Sequence, residues 1–80
     1  MSDDDVLSSI NRLTDEEHAL LHAAEHGGLD DDQRTRLGEI QVRLDQCWDL
    51  LRQRRAKREF GQNPDDAAVR DANTVEHYKG

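Results

Sequence analysis

A chain of 80 residues with a formal net charge of −7 is too short to enclose a large core of its own. Only 16 residues are Leu, Ile, Val or Phe, and the aromatic residues are one Phe, one Trp and one Tyr. This composition lies near the roughly 20% limit below which highly charged chains tend to stay disordered, so we expect folding to need a partner or a second copy. The negative charge argues against direct nucleic-acid binding and against attraction to anionic lipid.

The sequence offers no sign of an oxidising compartment or of a membrane. Cys47 is the single cysteine, which excludes an internal disulfide framework and a multi-cysteine zinc site. No stretch approaches about 18 apolar residues, and the first residues are acidic where a signal peptide would be basic and then apolar. We therefore expect a cytoplasmic protein without membrane contact.

The first predicted helix covers about residues 4–26. Its apolar residues recur with helical spacing and share one stripe: Val6, Ile10, Leu13, Leu20, Leu21 and Ala24. Gly27 and Gly28 follow this stripe and can adopt the left-handed conformation that ends a helix. Glu17 falls at the centre of the stripe, where an ionised carboxylate needs a partner, and we expect an arginine of the next helix, Arg36 or Arg43, to supply it.

The second predicted helix covers about residues 30–60. Asp30 can serve as its N-cap, and Gly61 can close it. Apolar residues with alternating spacings of three and four follow one face: Leu37, Ile40, Leu44, Cys47 and Leu51. This pattern is typical of a coiled coil or an antiparallel helix pair. Cys47 lies on that seam and is expected to behave as a small buried apolar residue.

The predicted fold is all-α, an antiparallel two-helix hairpin over residues 1–61. Residue i of one helix should lie near residue 56 − i of the other, because the connection between them is short. Leu21, Trp48 and Leu50 lie away from the centres of the packed stripes, so we expect them to form the interface of a homodimer, a four-helix bundle. Residues 62–80 are polar, and we expect them to be extended or disordered.

A dense basic run ends the second helix and contains four arginines: Arg52, Arg54, Arg55 and Arg58. Some of them continue the apolar stripe, so the packed face becomes cationic here. One interpretation is neutralisation within the hairpin by the aspartates at residues 3–5. The other is that these arginines bind phosphates or carboxylates of a partner or a ligand, a role that suits the guanidinium group.

Three histidines repeat at intervals of four residues along the first helix: His18, His22 and His26. Histidines with this spacing can reach one divalent metal ion, and Glu25 could add an oxygen ligand. The helical wheel places the histidines on the solvent side, away from the apolar stripe, so exposed polar residues are the preferred interpretation. We assign neither a metal site nor any other cofactor from the sequence.

Residues 44–56 carry the string DQCWDLLRQRR, and residues 15–18 read DEEH. Together with Gly61, Pro64 and Tyr78, these motifs closely resemble a family of small actinobacterial proteins catalogued as domain of unknown function 2630. The resemblance extends over nearly the whole chain, and it implies no activity and no catalytic residue. A looser likeness links residues 41–45 (QVRLD) to helical anti-sigma factors of streptomycetes that bind cyclic di-GMP.

The sequence thus favours a non-enzymatic helical interaction or regulatory module. We expect it to bind a protein partner through the basic helix end. The alternative is a sensor that binds an anionic nucleotide, of the cyclic-dinucleotide type, at the arginine cluster. The sequence contains no nucleophile and base at a recognisable spacing, so it does not argue for an enzyme.

Overall fold

The computed structural model describes residues 2–76. Three α-helices follow one another: α1 is Asp3–Glu25, α2 is Asp31–Glu59 and α3 is Ala72–Glu76. One turn of 3₁₀ helix, Pro64–Asp66, lies between α2 and α3. Because the described residues contain no strand, the predicted all-α class is confirmed for this part of the chain. Within residues 2–76, none of the helices combines the length and the apolar character needed to cross a bilayer.

Helix α1 begins at a capping box that the sequence analysis missed. The Ser2 hydroxyl accepts a hydrogen bond from the Asp5 backbone N–H at 3.2 Å, and the Asp5 carboxylate accepts one from the Ser2 N–H at 2.9 Å. Gly27 and Gly28 follow the last turn with φ angles of 143° and 83°. The predicted termination at the two glycines is therefore confirmed, since other residues adopt such angles at a cost.

Helix α2 is capped at both ends. At the start, Asp30 is the N-cap and exchanges hydrogen bonds with Gln33, as the sequence predicted for this aspartate. At the end, Gly61 has a φ of 71°, and the Gln62 N–H donates to the Lys57 carbonyl at 2.7 Å. This is the Schellman arrangement, and it confirms that Gly61 closes the helix.

The two long helices pack antiparallel, as predicted. Asp3 of α1 contacts Arg54 near the end of α2, and Glu16 contacts Arg36 near its start. The predicted interhelical pair between a glutamate and an arginine therefore forms, but it uses Glu16 rather than Glu17. Neighbouring residues of an α-helix point about 100° apart, so Arg36 is reached from the flank of the predicted stripe and not from its centre.

The core is small and aliphatic. Val6, Ile10 and Leu50 form its centre, and Ile40 is fully buried. Half-buried side chains surround the centre: Leu44, Cys47, Leu51 and Ala67. The apolar stripe of α1 is buried at its first turns only, since Leu21 near the other end is 42% exposed.

The segment after Gly61 differs from the extended or disordered tail expected from the sequence. Over residues 62–76 it folds back along α2, and the α3 helix packs on the same surface. Our expectation considered only apolar side chains, whereas this segment is held by polar groups that the sequence does not flag. Three side chains of α2 donate to its carbonyls: Arg54 to Pro64 (3.2 Å), Gln53 to Ala68 (2.9 Å) and Gln46 to Arg70 (3.1 Å). Tyr78, which the sequence analysis named, lies outside the described residues.

Candidate functional site

Arg54, predicted as a binding residue, is buried in the fold and only 5% exposed. Its Nε donates to the Asp3 carboxylate at 2.6 Å, and its Nη1 donates to the Asp65 carboxylate at 3.0 Å. These partners come from the start of α1 and from the 3₁₀ turn, so one guanidinium joins three parts of the chain. Arg54 is therefore not part of the candidate binding surface, because it is buried and its donors bond within the molecule.

Arg58 shares the same carboxylate. Its Nη1 lies 2.8 Å from the second oxygen of Asp3. The hydrogen bond from Arg54, helped by the charge of Arg58, holds the pKa of the Asp3 carboxyl below its ordinary value, against the effect of partial burial. The predicted neutralisation within the hairpin thus occurs for these two arginines, and Asp3 provides it.

Arg52 and Arg55 remain on the surface, together with Trp48. These residues occupy positions i, i+4 and i+7 of α2 and therefore share one face. Arg55 pairs with Glu59 of the next turn, at 3.2 Å, in a pair open to solvent. Trp48 is 47% exposed and borders a shallow depression with Arg52, with Val75 of α3 and with two acidic residues, Asp45 and Glu76. We call Trp48, Arg52 and Arg55 the outer face of α2.

Residues 2–76 contain one tryptophan and one phenylalanine, Trp48 and Phe60, and both side chains are exposed. Phe60, at the C-cap of α2, is 80% exposed, and Trp48 lies half in solvent. Aromatic residues normally supply much of the buried apolar area of a small domain. Here the core contains only aliphatic residues and a cysteine, so these rings are available to bind another molecule.

The three predicted interface residues have different environments. Leu50 is 3% exposed and lies at the centre of the core, so it is not available on the surface of the hairpin. Its position one residue from the seam was interpreted as uncovered, but the start of α1 covers it. Leu21 and Trp48 are exposed, as that hypothesis requires.

A groove of about 420 Å³ lies between α1, α2 and residue 69. Arg36 holds the Glu16 carboxylate in it through two nitrogens, and one of these bonds measures 2.9 Å. This pairing lowers the pKa of Glu16 below its ordinary value and raises that of Arg36. Two more arginines, Arg12 and Arg43, line the groove, so its lining holds three arginines against one glutamate and has excess positive charge. Sequence reasoning missed it because its residues are scattered along the chain.

Cys47 lines the inner wall of the same groove. It is a free thiol packed against the core, as predicted from its position on the seam. Burial raises its pKa above the ordinary value, so the thiol stays protonated near neutral pH. This setting favours a structural role over a nucleophilic one.

Comparison with known sequences assigns the chain to one family. A family profile described as protein of unknown function (DUF2630) matches residues 2–80. The chain belongs to this family. Among the relatives of this DUF2630 chain are "Uncharacterized protein Mb0922c" of Mycobacterium bovis and "Uncharacterized protein Rv0898c" of Mycobacterium tuberculosis. Each is 46% identical over 80 residues, which cover 99% of this chain and 92% of the relative. No solved structure matches the chain significantly.

Proposed function

We propose that this DUF2630 protein is a non-enzymatic interaction module that binds an acidic protein partner through the outer face of α2. The observation that carries the proposal is the exposure of Trp48 beside Arg52 and Arg55, on a helix whose other face is committed to the fold. Tryptophan and arginine are the residues that most often dominate the free energy of protein association.

The charge distribution supports an acidic partner. Residues 1–33 carry ten acidic residues and one arginine, whereas residues 34–60 carry eight basic and four acidic ones. Asp3 neutralises Arg54 and Arg58, and the other two arginines of the basic end, Arg52 and Arg55, lie on the outer face. A cationic patch on an otherwise acidic protein favours a complementary acidic surface and disfavours other partners by repulsion.

The test is a comparison of proteins captured from a lysate of the source organism by the wild type and by two matched variants. Arg55→Glu reverses a charge on the outer face, and Arg34→Glu reverses one near the start of α2. Both arginines are exposed and each pairs with an acidic neighbour on its own helix, so the two changes reverse the same charge in a similar local ion pair. We expect a partner retained by Arg34→Glu and lost by Arg55→Glu. Equal capture by all three proteins would contradict the proposal.

A second candidate function rests on the groove between the helices. Its volume falls within the range of small-molecule sites, and three guanidinium groups line it. It therefore suits the anionic-nucleotide alternative better than the arginines near residue 54, where the sequence analysis placed that ligand. Calorimetric titration with cyclic di-GMP tests this candidate. Binding that Arg43→Gln abolishes and Arg52→Gln leaves unchanged would support it, and no binding by the wild type would refute it.

We also propose that the hairpin associates with a second copy. Leu7 and Leu21 are both exposed and are two heptads apart, so they share one face of α1. Covering such a face would add apolar burial that the small core lacks. Sedimentation equilibrium should show a dimer, and Leu7→Glu with Leu21→Glu should restore the monomer. A wild-type monomer of 9.2 kDa at about 100 μM would refute this proposal.

A further inference from the structure

Three potential metal ligands converge at the last turn of α1. His22, Glu25 and His26 each place one ligand atom within 4.8 Å of the others, and all three side chains are exposed. Their spacing, H-x-x-E-H, puts them on one face of the helix. We infer that this cluster binds a divalent transition-metal ion of the zinc, nickel or copper class. The inference is independent of the proposed function.

A hydrogen bond prepares one ligand for this role. The Nδ1 atom of His26 lies 2.9 Å from the backbone carbonyl of His22. A carbonyl only accepts, so Nδ1 carries the proton and the lone pair resides on Nε2, which is then free to bind a metal. Carbonyl contacts of this type orient metal-binding histidines in proteins generally. The two imidazole rings lie close together, with their centroids 4.3 Å apart.

The location is electrostatically suited to a cation. The cluster lies at the C-terminal end of α1, where the helix dipole places partial negative charge. Glu25 adds a full negative charge, and the chain as a whole carries −7. An ion bound here would bridge successive positions of the last turn just before Gly27, so it should stabilise the end of the helix.

The donor set selects the class of ion. Two imidazole nitrogens and one carboxylate are typical ligands of zinc, nickel and copper, whereas calcium and magnesium prefer oxygen ligands throughout. Three protein ligands leave coordination positions for water, because the site faces solvent. His18 lies one turn earlier and is not a member of the cluster, although the sequence analysis grouped it with His22 and His26.

The test is calorimetric titration of the untagged protein with Zn²⁺. We expect one ion per chain, and His22→Ala should weaken binding by at least about tenfold, the loss that changes to metal-site neighbours commonly produce. Glu25→Gln should also weaken binding. His18→Ala is the matched control, an exposed histidine of the same helix, and it should leave the affinity unchanged. A Cys47→Ala background removes the thiol as a competing ligand.

Thermal unfolding provides a second readout. Zn²⁺ should raise the unfolding temperature of the wild type and of His18→Ala, because an ion that binds only the folded state stabilises it. It should raise that of His22→Ala less at the same Zn²⁺ concentration, and Ca²⁺ should have no effect on any of the proteins. Circular dichroism confirms that each variant is folded. No zinc binding by the wild type, or an equal loss in His18→Ala and His22→Ala, would overturn the inference.

Discussion

Replacement of Leu50 by alanine should remove a large part of the stability of the hairpin. The Leu50 side chain is 97% buried and packs with Val6 and Ile10 at the centre of the core. The change deletes three carbon groups at about 0.8 kcal/mol each and leaves a cavity, so we expect a loss of about 3 kcal/mol. A folded domain of this length has a free energy of unfolding of roughly 4–12 kcal/mol, and the variant would therefore be close to unfolding.

The measurement is urea denaturation followed by the helical circular dichroism signal, at a protein concentration low enough to dissociate a dimer, with Leu21→Ala as the matched control. Leu21 undergoes the same chemical change, but it is 42% exposed, so we expect a loss of about 1 kcal/mol or less. The experiment also distinguishes a core residue from a dimer-interface residue at position 50. If Leu50 acted only in a dimer interface, Leu50→Ala would no longer lower the free energy of unfolding once the protein is diluted. Equal destabilisation by the two changes would refute the core described here.

Three further predictions concern Arg54, Asp3 and Cys47. Arg54→Met should lower the unfolding temperature more than Arg55→Met and should speed amide exchange over residues 65–76, measured by mass spectrometry, because Arg54 is bonded to Pro64 and Asp65 of the segment's 3₁₀ turn. Folding lowers the pKa of Asp3, so in acid the unfolded chain binds more protons than the folded one. The urea midpoint should therefore fall as the pH drops below about 5, and Asp3→Asn should reduce this fall. Alkylation of Cys47 near neutral pH should be slower in the native protein than in urea, because burial raises the pKa of the thiol.

The helices and their ends could be predicted from the sequence because the signals are local. Asp30, Gly27 and Gly61 act through the conformation of their own backbone or of the adjacent turn, and the structure places them as predicted. The short connection between the two helices predicted that they pack antiparallel. The apolar spacing could not show which glutamate Arg36 reaches, so Glu17 was chosen where Glu16 makes the contact.

The environment of the arginines could not be predicted, because it depends on residues distant in the chain. Arg54 and Arg55 are adjacent and identical in type, yet one is buried and the other exposed. The difference arises because the 3₁₀ turn and the start of α1 both meet the helix at Arg54. The contacts that fold residues 62–76 onto α2 involve backbone carbonyls, which leave no trace in the sequence.

The most direct test of the proposed function is the affinity of a purified captured partner for three proteins: the wild type, Arg34→Glu and Arg55→Glu. We expect the first two to bind equally and Arg55→Glu to bind at least about tenfold more weakly, a difference of about 1.4 kcal/mol. Added salt should reduce the difference between the wild type and Arg55→Glu, because the contact is electrostatic. Equal affinities of all three proteins for the partner would contradict binding through the outer face of α2.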